Sequence, residues 1–134
     1  MLTERQLTVM HLRSQGLTQS EVARKLKLTR QDVSALERSG IRNLESAFDA
    51  IDLACGKGVA RRIRLVRGTH ILDAGREILK QADASGIRLQ RSIVDILQLL
   101  RIELQESIYG GMLREEREVL LLYNGHVRIA PLRE

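Results

Sequence analysis

Apolar residues recur at helical spacing through the first 56 residues of this 134-residue chain, and polar helix-start signals separate the runs. Thr3-Glu4-Arg5-Gln6 has the form of a capping box, in which a Thr hydroxyl accepts from the amide three residues on and the Gln side chain reaches back. Leu7, Met10 and His11, with Val9 and Leu12, follow at helical spacing and predict a helix over 4–15 that Gly16 ends. Thr18-Gln19-Ser20-Glu21 is a second box, followed by a short inward set of Val22, Ala23 and Leu26. Thr29 opens a third helix, with Asp32 where the box places an acceptor, Val33 and Leu36 inward, and Gly40 as its end. A fourth helix is predicted from Ile41 to Cys55, because Leu44, Phe48, Ile51 and Cys55 fall on one stripe while Glu45, Asp49 and Asp52 lie off it. Gly56-Lys57-Gly58 reads as a hinge.

The period then changes. Residues 61–66, RRIRLV, alternate as a half-buried strand does, with Ile63 and Leu65 on one face and Arg62 and Arg64 on the other. Leu72, Gly75, Ile78, Leu79 and Ala82 return to helical spacing until Gly86. Residues 87–89 suit a short extended piece. Ser92 to about Gln105 predicts another helix, with Ile93, Ile96, Leu97, Leu100 and Leu104 inward. Gly110-Gly111 is a loop. Residues 118–130, EVLLLYNGHVRIA, predict a hairpin closed by a type I′ turn at Asn124-Gly125. The expected class is therefore α+β: an N-terminal all-α helix-turn-helix domain over 1–56, a linker at 57–60, and a small α+β domain over 61–134 built from an antiparallel sheet with two helices.

Two helices as short as those opened by Thr18 and Thr29 are not stable alone. They form a helix-turn-helix only by sharing a core with the first helix. Ala23 suits the close crossing, and Val22, Leu26, Leu28, Val33 and Leu36 complete that core. Arg30, Gln31, Ser34, Ala35 and Arg38 are left on the outer face of the third helix, over about 29–39. A helix of this kind enters the major groove with its N-terminal residues at base edges. Arg pairs with guanine O6/N7 and Gln with adenine N6/N7, while the Ala methyl packs on a thymine methyl. Arg30, Gln31, Ser34 and Ala35 are thus the expected base readers. Thr18, Gln19 and Ser20 start the preceding helix, whose free amides suit a phosphate; Lys25, Lys27, Arg38 and Arg42 are the further expected phosphate contacts. Lys27 stands where such turns often carry Gly, and a left-handed Lys costs about 1–2 kcal/mol.

Charge sharpens this picture. The chain holds 22 Lys and Arg against 17 Asp and Glu, a formal net charge of +5. Residues 1–56 carry eight basic and seven acidic side chains, nearly balanced, yet Arg24, Lys25, Lys27 and Arg30 cluster with no acid between them. A patch, rather than the total, is the electrostatic footprint of a DNA reader. Aromatic residues make up only 2%, so the cores are aliphatic.

The same sequence excludes much else. One cysteine, Cys55, permits no internal disulfide and no Cys-based zinc site. His11, His70 and His126 match no metal-ligand spacing. The N-terminus is charged from Glu4 on, unlike a signal peptide, and no apolar run reaches the ~20 residues of a membrane span. A soluble, cytoplasmic chain with no cofactor is expected. Asp73, Glu77, Asp95, Glu103 and Glu106 lie opposite the aliphatic stripes, as solvated faces do. Gly56-Lys57-Gly58 lacks the spacing of a phosphate-binding loop. No catalytic constellation emerges, so no enzyme activity is expected.

Residues 2–47, LTERQLTVMHLRSQGLTQSEVARKLKLTRQDVSALERSGIRNLESA, resemble the helix-turn-helix of the archaeal Tfx family of transcriptional regulators. The likeness continues through residues 67–87, RGTHILDAGREILKQADASGI, to the Asn-Gly hairpin. The first segment shares its pattern with phage-type repressors; the second does not. The resemblance implies sequence-specific DNA binding by the N-terminal domain. The expected partners are double-stranded DNA and a second copy of the chain, with the transcription machinery as a further contact. The competing expectation is a protein-interaction module whose helix-turn-helix is structural.

Overall fold

The computed structural model describes residues 1–131, and Arg133 lies outside them. The chain forms two compact units, Met1–Asp52 and Leu53–Glu134.

The first unit is helical. Helix α1 (Glu4–Ser14) starts on Thr3, whose side chain accepts from the Gln6 amide while Gln6 caps Thr3 in return. Helix α2 (Gln19–Leu26) starts the same way on Thr18, with Glu21 as its reciprocal partner. Helix α3 runs from Arg30 to Gly56, 27 residues without a break. Val9, Val22 and Val33, one from each helix, are fully buried, with Leu12 and Ala23 beside them and Leu17, Leu26, Leu28 and Leu36 packed around. Each of the three valines contributes about 1.5–3 kcal/mol by leaving water, which offsets the poor intrinsic stability of an 8-residue helix. Leu7 and His11 lie outside this core, Leu7 at 49% exposure.

Gly40 does not end the third helix, and the expected fourth helix is its continuation. Glycine in a helix interior costs only about 1 kcal/mol, too little to stop a helix that its neighbours hold. Here it has a packing role. Gly40 is buried, and a Cβ at that position would lie 2.5 Å from Met10 Sδ and 3.4 Å from Gln6 Cβ. The small residue lets α1 approach α3. Gln6 then joins them: its Nε2 donates to Ser39 Oγ at 2.9 Å, and its Oε1 accepts from Asn43 Nδ2 at 3.2 Å.

The second unit packs two helices on a sheet. Strand β1 (Ala60–Leu65) precedes helices α4 (Ile71–Ala84) and α5 (Ile93–Glu103), a small hairpin of β2 (Ile108–Tyr109) and β3 (Met112–Leu113), then β4 (Arg117–Leu122) and β5 (Val127–Ile129). The main sheet is antiparallel in the order β1-β4-β5, with Ile63 opposite Val119 and Val119 opposite Ile129. Ile63, Leu65, Val119, Leu121 and Val127 form a core with Ile71, Ala74, Ile78 and Ala82 of α4 and Ile96, Leu100 and Leu104 of the α5 segment. The alternation of β1 is realised: Arg62 and Arg64 face away and pair with Glu118 and Glu116.

Residues 87–89 lie outside the strands, and Ile87 and Leu89 pack against the core. One expectation changes here. The β4–β5 connection is not a type I′ turn, which requires positive φ at both central residues. Only Gly125 is left-handed, at φ +88. The Gly125 amide donates to the Leu122 carbonyl, and Leu122 and His126 close the loop, so it is a three-residue connection with glycine at its bulge. Gly125 is required there for a second reason: an added Cβ would lie 2.0 Å from the Arg88 carbonyl oxygen.

Candidate nucleic-acid interface

The expected base readers share one side of the first turns of α3. Arg30, Gln31 and Ala35 are exposed and Ser34 is half-buried. At 3.6 residues per turn, the order around the helix runs from Glu37 and Ile41 through Arg30 and Ser34, then Gln31 and Arg38, then Ala35, to Asp32 and Ser39. The buried side holds Val33 and Gly40. Thr29 caps the helix: its hydroxyl accepts from the Asp32 amide at 3.1 Å, and Asp32 Oδ2 takes the Thr29 amide at 3.4 Å. Asp32 is thereby turned toward the helix start. Lys25, Lys27, Arg30, Arg38 and Arg42 are all exposed, and their side chains make no hydrogen bond or ion pair among the described residues. Arg13 is different. Its Nε reaches Glu37 Oε2 at 2.6 Å and its Nη1 donates to the Leu17 carbonyl at 2.9 Å, tying the entry to α2 onto α3.

The start of α2 sits beside the Glu37 flank of α3, because Leu17, Glu37 and Ile41 line one groove of about 320 Å³. Thr18 spends its hydroxyl on the Glu21 amide, and Glu21 Oε1 accepts from the Thr18 amide at 3.2 Å. The Thr18 backbone N–H, and then its hydroxyl, hold the Glu21 carboxyl below the usual carboxylate range. The amides of Gln19 and Ser20 remain unpaired by the helix and open to an anion.

Between α2 and α3, Lys27 is left-handed at φ 57 and ψ 45, the only non-glycine with positive φ among the described residues. The Leu28 amide donates to the Ala23 carbonyl at 2.9 Å and the Lys27 amide to the Arg24 carbonyl at 3.4 Å, the paired bonds of a Schellman cap. The same pair of bonds closes α1, α3 and α4. In those three the left-handed residue is glycine: Gly16, Gly58 and Gly86. Among the described residues, the turn between α2 and α3 is the one place where this cap carries a side chain, and that side chain is a cation.

Gln6 and Arg5 are absent from the sequence-derived set. Gln6 is legible as a capping residue, but its bonds to Ser39 and Asn43 join residues more than 30 positions apart. Arg5 is exposed, and with Leu28, Asp32, Ala35, Leu36 and Ser39 it lines a groove of about 350 Å³ along α3.

Comparison with known proteins follows this division. Residues 1–45 match the family described as sigma-70, region 4. Residues 57–129 match the family described as DNA-binding protein, TFX, C-terminal. The chain belongs to the Tfx family. The DNA-binding protein Tfx of Methanothermobacter thermautotrophicus is 29% identical over 126 residues, covering 94% of this chain and 91% of that protein. A candidate transcriptional regulatory protein of Methanocaldococcus jannaschii is 27% identical over 128 residues, 96% of this chain and 93% of its own. Another, of Pyrococcus horikoshii, is 33% identical over 99 residues, 74% of this chain and 69% of that one. Tfx relatives therefore align with this chain across both units. Among the described residues no helix is long and apolar enough to cross a membrane.

Proposed function

We propose that this Tfx-family chain is a transcriptional regulator that binds duplex DNA sequence-specifically through its first unit, reading the major groove with the start of α3. The observation that carries the reading is the solvent-facing side formed by Arg30, Gln31, Ser34, Ala35 and Arg38, whose cations have no partner among the described residues. Arg13, Arg62 and Arg64, by contrast, are each paired with a glutamate. Arg30 and Gln31, nearest the helix start, meet base edges. Arg forks onto guanine O6/N7 and Gln onto adenine N6/N7. Ser34 accepts or donates to either, and Ala35 packs on a thymine methyl.

Phosphates hold the helix in register. The unpaired amides of Gln19 and Ser20 and the exposed side chains of Lys25, Lys27, Arg38 and Arg42 supply that grip. The names of the relatives, DNA-binding protein Tfx among them, support the same activity. The second unit, matching the Tfx C-terminal family, is assigned to dimerisation or to contact with the transcription machinery. A homodimer would place two α3 helices on half-sites one helical turn apart and raise affinity by linking two modest contacts.

In vitro selection from a random duplex pool, followed by gel shifts at several salt concentrations, tests the reading. The expected result is a recurrent motif, symmetric if the chain binds as a dimer, with affinity falling linearly on a log–log salt plot. No enrichment, or binding that ignores both sequence and salt, would overturn it.

A further inference from the structure

We infer that Arg5, at the start of α1, is a second backbone clamp that holds the DNA strand opposite the one held by α2. This rests on the proposed docking of α3 in the major groove, and it follows from where the two flanks of α3 lie.

A helix in the major groove has a phosphodiester strand along each side. The groove is about 12 Å wide and a helix with its side chains fills about 10–12 Å of it. Phosphate contacts fix a reader's register and orientation, and contacts to both strands hold it against rolling about its axis. On the flank beyond Arg30 and Ser34 the grip is already present. The tie from Arg13 to Glu37 and the Leu17 carbonyl, at 2.6 and 2.9 Å, sets the start of α2 there. The opposite flank, beyond Ala35, is bordered by Asp32 and Ser39. None of the residues expected to grip phosphate lines the groove on that flank.

Arg5 does line it. It stands across from Asp32, Ala35, Leu36 and Ser39 in the groove of about 350 Å³. Its neighbour Gln6 fixes α1 at this place by donating to Ser39 Oγ at 2.9 Å and accepting from Asn43 at 3.2 Å. Gly40 permits the close approach, since a Cβ there would meet Met10 Sδ at 2.5 Å. The base of the Arg5 side chain is therefore fixed against α3 while its guanidinium is exposed. It has no hydrogen bond or ion pair among the described residues.

Asp32 shares the groove and opposes an anion lodged deep in it. Its Oδ2 is directed at the Thr29 amide, 3.4 Å away. The phosphate site assigned to Arg5 is accordingly at the outer rim, where a long guanidinium arm reaches and a short Asp does not. Arg suits this role because its planar fork grips two phosphate oxygens together.

The test uses the full chain and its selected duplex. Gel-shift titrations of wild type, Arg5→Ala and Arg5→Lys are run over a salt series, with phosphate ethylation interference on each strand. Arg5→Ala is expected to flatten the log–log salt slope by about 0.9, one phosphate's worth, and to weaken selected and scrambled duplexes by the same factor. Wild type should show interference on both strands, with the cluster on one strand lost in Arg5→Ala. Arg5→Lys, which keeps the charge, should restore most of the slope. An unchanged slope and interference pattern in Arg5→Ala, with wild type binding normally, would overturn the assignment. So would a change in which base is preferred, because that marks a base contact. If Arg5→Ala loses binding together with its circular dichroism melt, Arg5→Lys decides: failure to restore the slope in a folded Arg5→Lys protein overturns the clamp. Absence of DNA binding by wild type would instead refute the proposed function.

Discussion

Lys27→Gly should make the protein more stable and a weaker DNA binder. The backbone at Lys27 is left-handed, at φ 57 and ψ 45, where a side chain costs about 1–2 kcal/mol. Glycine removes that cost but adds freedom to the unfolded chain worth about 0.5–1 kcal/mol. The net expectation is a gain of about 0.5–1 kcal/mol. For a small domain this raises the melting temperature by about 2–6 °C. The hydrogen bonds of the cap are backbone bonds from Leu28 to Ala23 and from Lys27 to Arg24, so glycine preserves them. The chain itself runs this comparison, since Gly16, Gly58 and Gly86 occupy the equivalent position of the other three caps. If Lys27 grips a phosphate, the same substitution flattens the salt slope of DNA binding by about 0.9. Thermal melting by circular dichroism and a gel-shift salt series measure the two effects in one variant. Lys27→Ala separates them, because it removes the charge and keeps a left-handed non-glycine residue. A destabilised Lys27→Gly protein would refute the strain argument. A stabilised one that binds DNA with an unchanged salt slope would refute the functional reason for the lysine.

Other consequences are measurable. Arg30→Ala should lose about 1–3 kcal/mol of discrimination at one base pair, whereas Lys25→Ala should weaken all duplexes alike; competition against single-site operator variants separates the two. The lowered pKa of Glu21, set first by the Thr18 backbone N–H, makes its cap fully present above the ordinary carboxylate value of 4.5 and lost as pH falls through the lower folded value. Glu21→Gln should remove that acid-side dependence, read from amide exchange at the start of α2, and a pH response identical to wild type would exclude the carboxylate as its source. Gly125→Ala should destabilise the second unit by at least about 2 kcal/mol, because φ +88 strains an alanine and its Cβ meets the Arg88 carbonyl. Chemical denaturation followed by a probe in each unit should show the loss in the second unit and spare the first.

The helix-turn-helix was legible because its signals are local. Thr3, Thr18 and Thr29 each cap the helix they precede, and the reciprocal partners Gln6, Glu21 and Asp32 lie three residues on. The strand character of β1 was equally local, since alternation alone separates Ile63 and Leu65 from Arg62 and Arg64. What sequence could not supply was anything decided by a distant partner. Asn124-Gly125 reads as a type I′ pair, yet a third loop residue and the Arg88 carbonyl select another turn. Arg5 looks like any exposed cation until Gln6, Ser39 and Asn43 bring the start of α1 beside Ala35.

Gly40 misled and Lys27 did not, and both outcomes have one reason. Glycine marks a helix end only where the backbone must turn left-handed, and it is otherwise the smallest side chain available for packing. Gly16 is the first case, at φ +95 with nothing within 4 Å of its would-be Cβ. Gly40 is the second, buried against Met10 within a continuous helix. The two differ in tertiary contact and not in local sequence, so the stop expected after Ser39 was undecidable from the chain alone. At Lys27 the backbone is left-handed and the glycine is missing, so a side chain stands where the backbone favours none. Joining α3 across Gly40 also changes the site. It puts Arg38 and Arg42 on one unbroken helix, with their spacing set by helical geometry rather than by a turn. An Arg42→Ala variant should therefore lose a phosphate contact about one helical turn from that of Arg38 on the same strand, whereas loss at an unrelated position, or from the other strand, would mean that the helix does not lie along the groove as a single rod.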